Sequence, residues 1–385
     1  MKKLFVVIMG VLLAFTACKK SGYLDSSDVE ILNNKSVFSD SAHTMEFLTG
    51  LYTTLSFNYT VSSSNNEADY SKMCDEAEGR YPALGNYDKT FAQGTFAGNF
   101  YSITARHWAT LYTTIHNANV YLADVDRSPL SGDTKRRTKA EARFLRAFCY
   151  EYLLKFFGGV PLVGDRVYAT ADTPDTTRAT YSDCVNYIVS ELDAVAAELP
   201  ESYSGLNWGR ITKGACLALK SRVLLFAASP LYNGGSTATD PRVVEVTAYP
   251  SYDATRWEKA RQAALDVMNL TTYSLNMDNT TRPGNGFYKV FITRVNNEII
   301  LPRPMPTGKS LETAMNPRSR GGGQFYYFPT QELVDKFPMR NGLPITDAAS
   351  GYTESNPYVN RDPRLDYTVI YNGSMYYLQS ARGPR

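Results

Sequence analysis

Two stretches of this chain set aromatic rings beside hydrogen-bonding side chains, the mixture a neutral sugar requires. Residues 67–91 read EADYSKMCDEAEGRYPALGNYDKTF and supply Asp69, Tyr70, Asp75, Arg80, Tyr81 and Tyr87. GNGFYKVF at 284–291 and QFYYF at 324–328 supply Phe287, Tyr288, Tyr326 and Tyr327. A sugar offers C–H groups on one face and hydroxyls on its rim. Rings cover the first, and Asp, Asn and Arg answer the second. Each ring taken singly could equally pack beneath its own loop. The ligand-binding expectation therefore rests on Asp69, Arg80, Tyr81, Tyr87, Phe287, Tyr288, Tyr326 and Tyr327 as a set.

Catalytic patterns are weak by comparison. The three histidines are His43, His107 and His116, and the last two face opposite sides of one helix, which disfavours a metal site there. There is no H-E-x-x-H, no P-loop and no G-x-S-x-G. Gly321-Gly322-Gly323 reads as a flexible turn, and Asp75 with Glu76 as solvated loop charge. A glycosidase needs two carboxylates about 5–9.5 Å apart, a distance no sequence supplies. The expectation is a binding protein, not an enzyme, with no cofactor and no metal.

The amino terminus reads as an address. Lys2-Lys3 precede an apolar run from Leu4 to Phe15, too short to span a bilayer and suited to a cleaved export leader. Thr16-Ala17-Cys18 then resembles a lipobox, with Cys18 as the lipidation site whose acyl chains would hold the protein on a membrane. The alternative is a plain secretory leader with an incidental cysteine. Removal of residues 1–17 takes the formal charge of +2 to neutrality, and no basic stripe remains, which argues against nucleic acid. Cys74, Cys149, Cys184 and Cys216 read as small buried hydrophobes, not as a disulfide framework.

Long helices must position these groups. In 139–163, KAEARFLRAFCYEYLLKFFGGVPLV, one row holds Phe144, Phe148, Tyr152 and Phe156, and the next holds Leu145, Cys149, Leu153 and Phe157. With Tyr150 and Leu154 on the remaining side, the helix must be sandwiched between neighbours. Gly158-Gly159 is expected to cap it in the left-handed region, and Pro161 to prevent its continuation. Helical spacing recurs at Met45–Tyr59, Trp108–Val125, Tyr181–Leu199, 213–228 and 253–268. Thr180 with Asp183 resembles a capping box, and Thr212 is a second cap. Gly214, Ala215 and Ala218 should let a neighbouring helix approach. The spacing approaches that of tetratricopeptide-like pairs without being regular. Beyond about 270 the chain is rich in Pro, Gly and aromatics, with strand-like runs at 298–302 and 366–371 and a brief helix at 330–337.

The stretches AEARFLRAFCYEYLLKFFGGVPLV, RATYSDCVNYIVSELDAVAAELP, GRITKGACLALKSRVLLFAASPLY, PTQELVDKFPMRNG and NRDPRL, in that order and across most of 23–371, resemble the SusD/RagB family of outer-membrane nutrient-uptake lipoproteins. The resemblance implies an all-α fold, with tetratricopeptide-like helix pairs packed against a loop-rich ligand face and few short strands. It implies a leader at 1–17, a helical region at 18–270 and the beginning of a carboxy-terminal region at 271–385, which members continue well past NRDPRL. It also implies glycan or oligosaccharide capture at the cell surface and delivery to a SusC-like TonB-dependent transporter. Lys19-Lys20 stand where exported members often carry acidic residues, which leaves surface or periplasmic display open. Two other readings stay open beside capture of a sugar: a helical-repeat lipoprotein that binds a protein partner, and capture of a non-sugar nutrient such as a peptide.

Overall fold

The computed structural model describes residues 34–56, 72, 74–78, 94, 101–169, 171–304, 308, 316–317 and 328–374, with the backbone alone for 101–106. The fold is mainly helical. A short α1 (Asn34–Val37) leads into α2 (Ser41–Leu51) and a 3₁₀ turn at Tyr52–Ser56. The long helices α3 (Tyr101–Asp124) and α4 (Gly132–Phe157) follow, then α5 (Tyr181–Ala196), α6 (Lys213–Ala228), the short α7 (Pro241–Thr247) and α8 (Thr255–Met268). Next come α9 (Asn285–Ile292), α10 (Gln331–Lys336) and α11 (Arg364–Thr368). Among the described residues the only sheet pairs β1 (Ala77–Glu78) antiparallel with β2 (Phe328–Pro329).

Consecutive long helices pack side by side, α3 on α4, α4 on α5, α5 on α6 and α6 on α8. The sandwich expected for α4 is present, because every residue from 144 to 154 is buried between α3 and α5. Its aromatic row stays in register, with Phe144–Phe148 centroids 6.4 Å apart and Phe148–Tyr152 5.2 Å apart. The helix begins earlier than its apolar rows suggest, because Ser131 accepts the Thr134 amide at 3.3 Å.

α4 also carries charge into this core. Arg146, 1% exposed, donates to Asn119 Oδ1 at 2.6 Å, Asp165 Oδ1 at 2.6 Å and Glu191 Oε2 at 2.9 Å. Glu141, fully buried, accepts from the Tyr52 hydroxyl and from Arg210 Nη1, both at 2.7 Å. The Tyr52 oxygen in turn accepts the Ile211 amide at 3.2 Å. One phenol thus latches the 3₁₀ turn to α4 and to the segment before α6.

Other expectations need correction. Gly158 has φ 72° but ψ −148°, outside the left-handed helical region, and its bare Cα faces the 246–247 backbone, where a Cβ would lie 2.3 Å from Val246 O. Close approach, not capping, demands that glycine. Gly214 itself lies against the Tyr273 ring, at the start of a helix that packs on α5 and α8. Residues 298–302 form no strand, and 366–371 begin inside α11, where Asp362 and Pro363 initiate a helix, Asp362 Oδ1 accepting the Arg364 amide at 2.9 Å. Cys149, Cys184 and Cys216 are buried as expected, but Cys74 is exposed. A second, small core of Val334, Leu365 and Val369 joins α10 to α11. Arg361 reinforces it by donating to Val334 O at 2.6 Å and Phe337 O at 2.8 Å.

Candidate functional site

The segment that places α9 is a tightly bonded turn. The Asp278 carboxylate accepts the Thr280 and Thr281 backbone amides, both at 3.1 Å, the two hydroxyls of those residues at 3.2 and 2.9 Å, and the Asn285 side-chain Nδ2. The Thr281 amide first, and these other donors with it, hold the carboxyl well below the usual carboxylate range. Asp278 is therefore committed to shaping the turn and is a poor proton acceptor. Gly284 then turns with φ +73°, and a Cβ there would sit 2.9 Å from the Tyr367 ring. A Cβ on Gly286 would fall 1.8 Å from Asn276 O, while the Gly286 amide donates to Asp278 O at 2.6 Å. The start of α9 is wedged between backbone at 276–278 and side chains of 363–367.

On this wedge the rings assemble. Tyr288 stacks on Tyr367 from α11, with centroids 5.3 Å apart and planes at 23°. The exposed Arg282 guanidinium lies 4.8 Å from the Tyr288 centroid and 5.1 Å from that of Tyr367. The Tyr367 hydroxyl donates to Pro283 O at 3.0 Å, which fixes its ring. Phe287 turns away and packs edge-on against Phe291 at 5.1 Å, leaving Phe291 73% exposed. Adjacent residues on a helix point about 100° apart, so the pair read together from sequence divides between two faces.

Asp69, Arg80, Tyr81, Tyr87, Tyr326, Tyr327 and the lipidation candidate Cys18 lie outside the described residues. The chain beside two of these groups is nevertheless joined. Ala77 pairs with Pro329 and Glu78 with Phe328, and Thr330 donates its amide to Glu76 O at 3.2 Å and its hydroxyl to Asp75 O. In sequence, Arg80 follows Glu78 by two positions and Tyr327 precedes Phe328 by one.

Sequence reasoning missed Arg282, Tyr367 and the Tyr358–Tyr371 stack, whose centroids are 4.0 Å apart at 16°. The Asp362-Pro363 start signal was the available clue to Tyr367, since it turns a supposed strand into a helix facing α9. Trp208 was missed too. Its ring, with Arg294 at 5.2 Å, borders a hollow of about 140 Å³ lined also by Tyr203, Tyr273, Glu201 and Asn296. Burial, then the Glu141 charge, push the Tyr203 hydroxyl up to about 12, so it stays a neutral donor and acceptor at physiological pH.

A larger hollow, about 520 Å³, lies between α5, α6 and α8 over an aliphatic floor of Val185, Val189 and Leu224. Its one ring, Tyr249, is covered by Arg256 at 3.6 Å, so it offers no free platform. Among the described residues no cluster of three or more His, Cys, Asp or Glu could hold a metal ion, and no helix is long and apolar enough to cross a membrane. What the α9 face can do chemically is hold a neutral, hydroxyl-rich molecule against rings with a cationic donor at the rim.

Comparison with known proteins identifies the family and the fold. A family model of SusD-like type, described as starch-binding and associating with the outer membrane, matches residues 23–225, and the SusD family model matches 303–385. SusD-like protein P25 of Formosa agariphila is 23% identical over 228 residues, which is 56% of this chain and 42% of that protein. A SusD-like protein of Bacteroides ovatus is 26% identical over 246 residues, 61% of this chain and 41% of its own. The chain thus spans less than half the length of these curated relatives. Two crystal structures from Bacteroides fragilis share the fold. A SusD-like protein has a TM-score of 0.66 at 22% identity, covering 91% of this chain and 64% of that one. A SusD-like carbohydrate-binding protein has a TM-score of 0.65 at 25% identity, covering 89% and 61%. A laminarin-binding SusD-like protein aligns with a TM-score of 0.52 at 18% identity over 69% of this chain and 51% of its own.

Proposed function

Because the chain belongs to the SusD family, whose members are binding proteins associated with the outer membrane, we propose that it captures an oligosaccharide without altering it and passes it to a SusC-like TonB-dependent transporter. The observation that carries the reading is the Arg282–Tyr288–Tyr367 stack on α9 and α11, an aromatic platform with a guanidinium at its rim. The carbohydrate-binding and laminarin-binding relatives support the ligand class. In this reading residues 1–17 are a leader, Cys18 bears the lipid, and the helical region to about 270 braces a ligand face built from the remainder.

Calorimetry with a soluble chain lacking residues 1–18 against a broad oligosaccharide panel, β-1,3-glucans included, tests it. Tyr288→Ala is expected to weaken the best ligand about tenfold, as loss of a stacking ring costs about 1–1.5 kcal/mol, and Arg282→Ala to weaken it severalfold, both with unchanged circular dichroism. Full affinity in both variants would place the platform elsewhere, at Tyr81 or Tyr327 first. A partner-binding reading draws on the exposed Leu275, Met277, Phe291, Ile292 and Val295 around α9. It prevails if no glycan binds while a transporter barrel is still captured.

A further inference from the structure

Away from α9, the helix array holds a buried carboxylate with one oxygen unanswered. Glu151 on α4 is 4% exposed, its Oε1 is 3.6 Å from Lys155 Nζ, and its Oε2 has no hydrogen-bond partner. Burying such an oxygen is unfavourable unless something donates to it. Beside it lies a cavity of about 20 Å³, enough for one water-sized group. Leu154, Tyr181, Val223, Phe226 and Tyr232 wall the space. Tyr181 and Tyr232 are stacked 5.0 Å apart at 8°, and Lys155 Nζ stands 5.5 Å from the Phe226 centroid. Phe226 is 42% exposed, so its ring forms an open lip.

The charges select the occupant. Lys155 and, at longer range, Arg222 already act on this one carboxylate, so a further cation is repelled. An anion would meet the Glu151 oxygens. A neutral hydroxyl suits both neighbours, since it can donate to Oε2 while its own oxygen accepts from the ammonium. The adjoining ring then offers a face to the C–H groups of the same molecule.

We propose that the exposed Phe226 ring and this water-sized space together form a second saccharide subsite on the helical side of the molecule, one sugar hydroxyl entering the space to donate to Glu151 Oε2 and accept from Lys155 while the sugar ring stays outside on the Phe226 face. It rests on the reading that the chain binds saccharides but shares no residue with the α9 face. The test is titration of the chain with glucose and with laminaritriose, followed by calorimetry and saturation-transfer NMR, in wild type, Phe226→Ala, Glu151→Gln and Tyr288→Ala. In the Tyr288→Ala background, adding Phe226→Ala is expected to cost the residual affinity about tenfold, and Glu151→Gln about as much. Glu151 is buried, so Glu151→Gln counts only if its thermal midpoint is retained. Phe226 is exposed, so Phe226→Ala decides the matter by itself. Residual binding untouched by Phe226→Ala, or a Tyr288→Ala chain that binds neither probe, overturns this subsite while leaving the α9 reading intact. Binding undiminished by Tyr288→Ala that falls with Phe226→Ala supports the subsite and removes the α9 assignment.

Discussion

Glu191 shows how much of this fold depends on charges that sequence patterns do not pair. Burial alone would raise its pKa. The hydrogen bonds donated by Arg143, at 2.8 and 3.0 Å, and by Arg146 outweigh that and hold it below the ordinary 4.5. A lowered folded-state value means the stabilisation is present above 4.5 and is lost as pH falls through the folded value. Glu151 has the opposite sign: burial raises it against Lys155 and Arg222, so its ionisation costs stability as pH rises above 4.5. Glu191→Ala should therefore cost about 3 kcal/mol at neutral pH, because Arg146 keeps only the largely exposed Asp165 as an ionic partner. The variant should also show a flatter loss of stability below pH 4.5 than wild type in urea titrations. Neither partner was legible beforehand. AEARFLRAF shows an arginine between apolar rows, but Glu191 lies 45 residues away and nothing local points to it.

Elements were legible wherever a cap and a periodic face agree. Thr180, Thr212 and Thr330 each accept the amide three residues on, at 3.0, 3.2 and 3.2 Å, and start α5, α6 and α10 where expected. α11 was not legible, because DYTVIY alternates like a strand while its Asp-Pro start lies just outside the run. The ligand face failed for a related reason. Consecutive rings on α9 look like one platform in a string of letters and separate by a third of a turn in space. Gly286 carries a prediction at this scale. Gly286→Ala forces a methyl against Asn276 O and should cost about 2 kcal/mol. By shifting α9 off Tyr367 it should also weaken oligosaccharide binding. Thermal melts and calorimetry on the same preparation check both effects.

Among the described residues there is one extensive core, from α2 to α6, and one small one under α10 and α11. The first was visible in sequence as long apolar rows. The second was not, since Val334, Leu365 and Val369 gain meaning only when two short helices meet. Opening free energy scales with buried contact, so native-state hydrogen exchange should find α4 and α5 amides near global stability, and those of α10 and α11 at least tenfold faster. Equal protection in both regions would mean that the small core is coupled to the large one more tightly than its size suggests.

The Tyr52 phenol has a consequence in time. Its two partners lie 89 and 159 residues further along. At ribosomal speeds of 5–20 residues per second, roughly 8–30 s pass between the appearance of Tyr52 and that of Ile211. Throughout that interval the amino-terminal helices lack the complete fastener, with Glu141 alone available after 89 residues. A nascent chain destined for another compartment would thus stay threadable until α6 begins to emerge.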